Sequence, residues 1–419
     1  MGLAHKKLAC YFWIVEMSGH QTFIIGGGFT GLATANLISK SNITLIEATK
    51  NLGGILRDCE FQNNQFFSSC QYINQSLSLF EDMGLRNEFY EFSHSYASYT
   101  DLFNTETIAT DFVGPVFDGD SLDVKVRNTM DVLSVSDRCD LYPSEIGKNF
   151  KKWFSFIGVD VSRTHHSSVV GFQSSRVYAK KHTNEVLKLK KNDKQVDMLY
   201  GVPRSVLGLP DINAFLPKNG FSQVFEKLSI QNKKNINILT KTTVNCEKRG
   251  DEIFLRTKNE RIRPDLVIWT ADPTKLIASL YNKTLDSLMF RGEIISGFLH
   301  TPITSPFYIQ VYSMKSRVLR IFLYQIENRS CYTIEKAFDE QPNDEILDFS
   351  QKILDKMVNV QFGPVLLRKK NARYFAYSIE DHKVLQSLYT QDDVCNLIVP
   401  DYLSYGRDQK IKSLNDQLN

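Results

Sequence analysis

The chain is short of what builds metal centres, disulfide frameworks and membrane spans. Its seven cysteines (Cys10, Cys59, Cys70, Cys139, Cys246, Cys331, Cys395) form no CxxC pair, and with eight histidines they show no metal-ligand spacing. A zinc module is excluded and no metal is expected. An odd, scattered set of cysteines reads as free thiols in a reducing compartment, so a cytoplasmic location is expected. No run approaches the roughly 20 apolar residues that cross a bilayer, so no integral membrane segment is expected. A formal charge of +3 over 419 residues is too small for a nucleic-acid partner. Internal repeats and low-complexity tracts are absent, and the lysine-rich run 188–194 reads as a solvated face.

What remains is a length and balance suited to two compact domains, with 42% hydrophobic and 23% charged residues. The 12% aromatic content suits a lined ligand pocket as well as an aromatic core. Residues 1–16 imitate a signal peptide weakly, but Glu16 breaks the apolar run and no small-residue cleavage site follows. Met17 is therefore expected to be the natural start, with residues 1–20 an extension outside the fold.

The informative part begins at residue 22. A short apolar strand (22–25), a glycine turn (26–31), a helical stretch (32–39) and a second apolar strand (43–46) make a βαβ unit. The turn, Gly26-Gly27-Gly28-Phe29-Thr30-Gly31, fits G-x-G-x-x-G in the setting that gives the string meaning. Gly26 permits the tight turn, Gly28 lets a pyrophosphate approach the backbone, and Gly31 lets the helix pack on the sheet. Helix amides and dipole then bind the anion. Glu47 closes the second strand about 20 residues on, where a carboxylate accepts hydrogen bonds from a ribose and disfavours a 2′-phosphate.

From Glu47-Ala48 to Leu52-Gly53-Gly54 the chain resembles the E-A-x(4)-G-G extension of FAD enzymes with the two-dinucleotide-binding-motif fold. Further on, Pro217-Lys218-Asn219-Gly220, Thr243-Val244 and the run 265–271 resemble flavin-containing amine oxidases, protoporphyrinogen oxidases and UDP-galactopyranose mutases. The resemblance covers roughly residues 20–85, 213–275 and 395–419. It implies FAD contacts from Gly26, Gly28, Phe29, Thr30, Gly31, Glu47, Ala48, Gly53, Gly54, Ile55, Arg57, Val244 and Asp401. Val244 would meet the adenine through its backbone, and an acidic residue near 401 would bond the ribityl chain or pyrophosphate. Two departures matter: Asn51 and Ile55 stand where arginines commonly flank the second glycine pair, leaving Arg57 as the nearest basic residue. Gln71 stands where the mutases carry a histidine. No cysteine lies near Asp401, so the resemblance implies non-covalent FAD.

The expected fold class is α/β: a Rossmann-like FAD-binding domain from 21–90, 213–285 and 390–419, interleaved with a mixed α+β substrate domain from 91–212 and 286–389. Helices are expected over 143–157, 205–215, 221–230, 343–357 and 407–418, with short ones over 76–83 and 86–90. Strands are expected over 307–312, 318–324 and 396–399. No catalytic residue is legible. Lys218, Arg204 and Tyr402 are pocket candidates by resemblance, while the pair His165-His166 reads as surface or structural because neighbours on a regular element face opposite ways. The implied activity is hydride transfer from a small-molecule substrate to flavin N5. A non-redox flavoenzyme acting on a nucleotide sugar, or a degenerate FAD binder, are the alternatives. Oligomeric state cannot be read.

Overall fold

The computed structural model describes residues 21–38, 42–74, 77–122, 132–170, 174–232, 236–258, 260–286, 288–391, 393–404 and 406–418. The questions of Met17 and of residues 1–20 fall outside them. Five parallel strands form the first layer, in the order Ile236–Leu239, Asn42–Ile46, Gln21–Ile25, Leu266–Trp269 and Leu397–Ile398. The inner strands read as nearly continuous apolar runs because both their faces are covered, whereas the edge strand Ile236–Leu239 alternates with exposed positions. Ile24, Leu45 and Ile268 face one core with Phe29 and Leu32 of the helix Phe29–Leu37 and Leu414 of the closing helix Arg407–Leu418. Phe23, Ile25, Ile46 and Trp269 face the other, with Leu276 and Ile277 of the helix Thr274–Tyr281.

A second sheet has seven strands, ordered Phe362–Ala376, Leu288–Leu299, Arg329–Ala337, Val318–Ile326, Phe307–Tyr312, Ser95–Thr100 and Thr107–Thr110. All its pairings are antiparallel except Phe307–Tyr312 with Ser95–Thr100. Beside it, helices between residues 135 and 199 enclose a core around Tyr142, Phe150 and Trp153. The architecture is mixed α/β, and the parallel sheet draws its strands from three separated stretches of chain.

Two expected helices do not form. Within 205–215 only the turn Ser205–Leu207 is helical; Gly208 then takes φ +63° and Pro210 follows, and Asn213–Pro217 pairs as a strand with Phe89–Ser93. That same pairing leaves only Arg86–Glu88 helical within 86–90.

Candidate functional site

A cavity of about 690 Å³ opens at the carboxyl ends of the parallel strands, where open α/β sheets bind ligands. One wall is glycine backbone. Gly26 leaves its strand at φ +112°, and a Cβ there would stand 2.8 Å from the Ala271 amide nitrogen. The Gly53 amide donates to the Gly27 carbonyl at 2.8 Å, so the glycine turn and the pair Gly53-Gly54 lie backbone against backbone. A Cβ on Gly28 would meet nothing within 4 Å except the Cα of Gly54 at 3.9 Å, and Gly28 lines the cavity. That opening is the cradle a pyrophosphate needs, and the helix starting at Phe29 has no acidic residue in its first turn to neutralise its positive end.

Glu47 also lines the cavity, half-buried. One of its oxygens accepts from the Gly27 amide, and the other from the amide and hydroxyl of Thr49, each at 2.7 Å. Of the other expected contact residues, Phe29, Thr30, Gly31, Gly53, Gly54 and Ile55 line the cavity, Ile55 at 61% exposure. Ala48, Arg57, Val244 and Asp401 do not line it. Arg57 turns to Glu226 at 3.4 Å and Glu60 at 3.8 Å. Val244 is packed in the core with Trp269 and Ile277. Asp401 accepts from the Leu403 amide at 2.9 Å and from the Ser404 hydroxyl, shaping the turn that leads into the closing helix.

The sequence reading missed most of the opposite wall. Tyr72, Asn74, Ser167, Ser168, Tyr377, Arg407 and Lys410 line it, and only the closing-helix start carried a signal. Of the three pocket candidates Tyr402 lines the cavity, its hydroxyl 2.7 Å from the Trp269 carbonyl and 2.8 Å from that of Ala271. Lys218 and Arg204 do not. Gln71 is buried, its amide donating to the Leu56 carbonyl at 3.2 Å and its oxygen accepting from the Ser69 hydroxyl at 3.0 Å. Burial pushes the Tyr72 hydroxyl up to about 12 and lowers the Lys410 ammonium.

His165 is buried and His166 half-buried, and their rings lie side by side rather than splayed. His165 stands just before the short helix His166–Val170, and its ring stacks on His382 at 3.5 Å with 18° between planes, while His166 lies 4.7 Å away. Burial, then the neighbouring histidines, press His165 down to about 3; burial and then Arg138 press His166 to about 4. His382 is lowered by burial as well. Among the described residues no cluster of three or more His, Cys, Asp or Glu side chains could hold a metal ion, and no helix is long and apolar enough to cross a membrane.

The geometry defines a dinucleotide-binding α/β fold, and the comparisons agree with it. Residues 24–83 match the family model of an NAD(P)-binding Rossmann-like domain. The fold is similar to that of an Exiguobacterium sp. 255-15 protein provisionally assigned as a protoporphyrinogen oxidase, with TM-score 0.61, 14% identity and coverage of 96% of this chain and 98% of that one. It is similar to a reduced UDP-galactopyranose mutase, with TM-score 0.63, 10% identity and coverage of 95% and 93%. A putrescine oxidase redesigned in its cofactor binding gives TM-score 0.56 and 11% identity over 96% and 98%. At such identities the likeness is one of fold. No curated protein sequence matches the chain.

Proposed function

We propose that the chain is a non-covalent FAD enzyme that oxidises a small organic substrate. The observation that carries this reading is the apposition of the glycine turn Gly26–Gly28 and the glycine pair Gly53–Gly54, beside Glu47 on one cavity wall. A single glycine turn serves any dinucleotide; a second turn laid against the first extends the bare backbone along the cavity, which suits the longer FAD. Residues 21–90, 213–285 and 390–419 would form the FAD-binding unit, and 91–212 and 286–389 the substrate unit.

In this reading Gly28 and the helix that follows hold the pyrophosphate, and Glu47 accepts from the adenosine ribose on the lone pairs its internal bonds leave free. Bound flavin would supply a hydride acceptor at N5, so the protein needs no nucleophile of its own. The chain's part is to bind, orient and exclude water, with Tyr72, Tyr377, Ser167 and Ser168 facing the substrate. The mutase alternative is weaker, because Gln71 spends its side chain inside the protein.

The purified protein should be yellow, and acid should release the flavin. Anaerobic mixing with amines, hydroxy compounds and UDP-galactopyranose then separates the readings. Bleaching by an amine or hydroxy compound, reversed by an acceptor, supports oxidation. Turnover of UDP-galactopyranose only after pre-reduction would overturn it, and colourless protein that takes up NAD but not FAD would overturn the cofactor.

A further inference from the structure

We propose that His165 and Ser167 form a hydrogen-bond-accepting subsite in the cavity, which selects a substrate group bearing an O–H or N–H. The proposal rests on the FAD reading above and deepens it. The Ser167 hydroxyl oxygen lies 2.8 Å from His165 Nδ1, and the Ser167 amide nitrogen lies 3.3 Å from the same atom. An amide can only donate, so Nδ1 presents its lone pair and the ring proton sits on Nε2. The hydroxyl of Ser167 therefore donates inward to Nδ1, and its oxygen lone pairs are left for the cavity that Ser167 lines. Ser168 behaves alike, its hydroxyl donating to the Tyr377 carbonyl at 3.3 Å. With both hydroxyl protons committed to the protein, these two serine side chains accept hydrogen bonds, while the donors of the cavity lie elsewhere, on Tyr72, Asn74, Arg407 and Lys410.

This polarity holds only while His165 is uncharged, since an imidazolium would donate from both nitrogens and turn the serine round. The surroundings secure the neutral form. His165 is 9% exposed and stacked face to face on His382, with His166 against it. Arg138 and Asp137 act on His166, and Asp401 acts on His382. Burial and the two neighbouring rings hold His165 well below the usual imidazole range. The subsite should thus keep its polarity at pH values where an ordinary histidine would switch.

Ser167, Ser168 and Tyr377 come from outside the parallel sheet and the glycine turns. We therefore assign the subsite to substrate rather than to the dinucleotide, and His165 is a positioning residue acting through Ser167.

The test uses the FAD-loaded full chain, titrated anaerobically with benzyl alcohol and with benzyl methyl ether, which differ in the donor. Binding is read from the flavin absorption band. Benzyl alcohol should bind about tenfold more tightly than the ether, at pH 5.5 as at pH 8. Ser167→Ala and His165→Phe should erase that difference without loss of FAD. His165→Asn should keep it, because the amide oxygen can replace Nδ1 as acceptor. Equal binding of alcohol and ether, no response to either, a preference that disappears at pH 5.5, or one that survives in Ser167→Ala would each overturn the subsite. If His165→Phe fails to fold, Ser167→Ala and the pH comparison still decide. Yellow protein without discrimination sinks this proposal alone, whereas a parent chain that takes up no FAD sinks the cofactor reading and this one with it.

Discussion

The amide of Gly27 donates to a carboxylate oxygen of Glu47 across 2.7 Å, joining the glycine turn to the acid that ends the neighbouring strand. The second oxygen of Glu47 holds Thr49 by its amide and hydroxyl. Glu47 is thus a clamp between two loops before it meets any ligand. Its role at the cavity depends on that clamp, because the same bonds fix where its remaining lone pairs point.

Replacing Glu47 with alanine should therefore act twice. FAD retention should weaken by about 1–3 kcal/mol, the loss of charge-assisted hydrogen bonds. The apo protein should also melt at lower temperature, since the Gly27 amide loses its acceptor. Flavin fluorescence titration and thermal unfolding without FAD measure the two effects separately. An apo protein that melts unchanged would show that the clamp contributes nothing.

Gly28 and Gly31 should part company under substitution. Gly28 has extended backbone (φ −73°, ψ 179°), and a Cβ there meets only Gly54 at 3.9 Å. Gly28→Val should fold and lose FAD, because the side chain fills the cradle. At Gly31 a Cβ would stand 1.9 Å from the Gly26 carbonyl oxygen, so Gly31→Ala should disrupt the turn itself. Circular dichroism melts of both variants, with FAD retention, check this. Full FAD retention in Gly28→Val would remove the site from this turn.

The βαβ unit was legible because its strands are plain apolar runs and its turn is punctuated by glycine. The seven-stranded sheet was largely hidden, and its buried ion pairs are one reason. Arg320 and Glu335 pair at 2.9 Å with both side chains under 10% exposed, and Glu293 lies between Lys336 and Arg368. Charges at buried positions break the apolar signal in Leu288–Leu299 and Arg329–Ala337, although each is compensated in space. The cavity's far wall was illegible for another reason. Tyr72 and Tyr377 belong to loops, and Ser167 and Ser168 to the helix His166–Val170, which is too short to show a periodicity; only tertiary packing brings them together.

Asp58 gives a pH dependence of definite sign. Its carboxylate accepts from the Ser222 amide at 2.7 Å in the first turn of the helix Gly220–Asn232. Burial raises it from 3.8 to about 7, against the pull of the Ser222 hydrogen bonds. Between about pH 4 and 7 the native chain holds a proton that the unfolded chain has released, so stability falls as pH rises through that window. The full effect is on the order of 4 kcal/mol. Asp58→Asn keeps an acceptor for Ser222 and removes the charge. It should be more stable than the parent at pH 8 in urea unfolding, and the gap should close towards pH 4. A gap that stays constant with pH would refute the assignment.

The histidine cluster should act in the opposite direction over an overlapping range. His165, His166 and His382 are all lowered from 6.5 by burial, the first two to about 3 and about 4. Below pH 6.5 the unfolded chain takes up protons that the native cluster refuses, so this contribution makes stability fall as pH falls. Each refused proton is worth about 1.4 kcal/mol per pH unit. The parent's own pH curve cannot separate this from Asp58, because the two slopes offset each other between about pH 4 and 6.5. Variants can. In an Asp58→Asn background the apo chain should lose stability steeply below pH 6.5. Adding His382→Leu should reduce that slope by up to one proton's worth, and His165, freed of its stacked neighbour, should titrate nearer the ordinary imidazole value. Urea unfolding across pH 4.5–7 gives the slope, and the imidazole proton resonances give the titration. An unchanged slope and an unchanged His165 titration in the double variant would mean that the stacked pair does not hold His165 neutral.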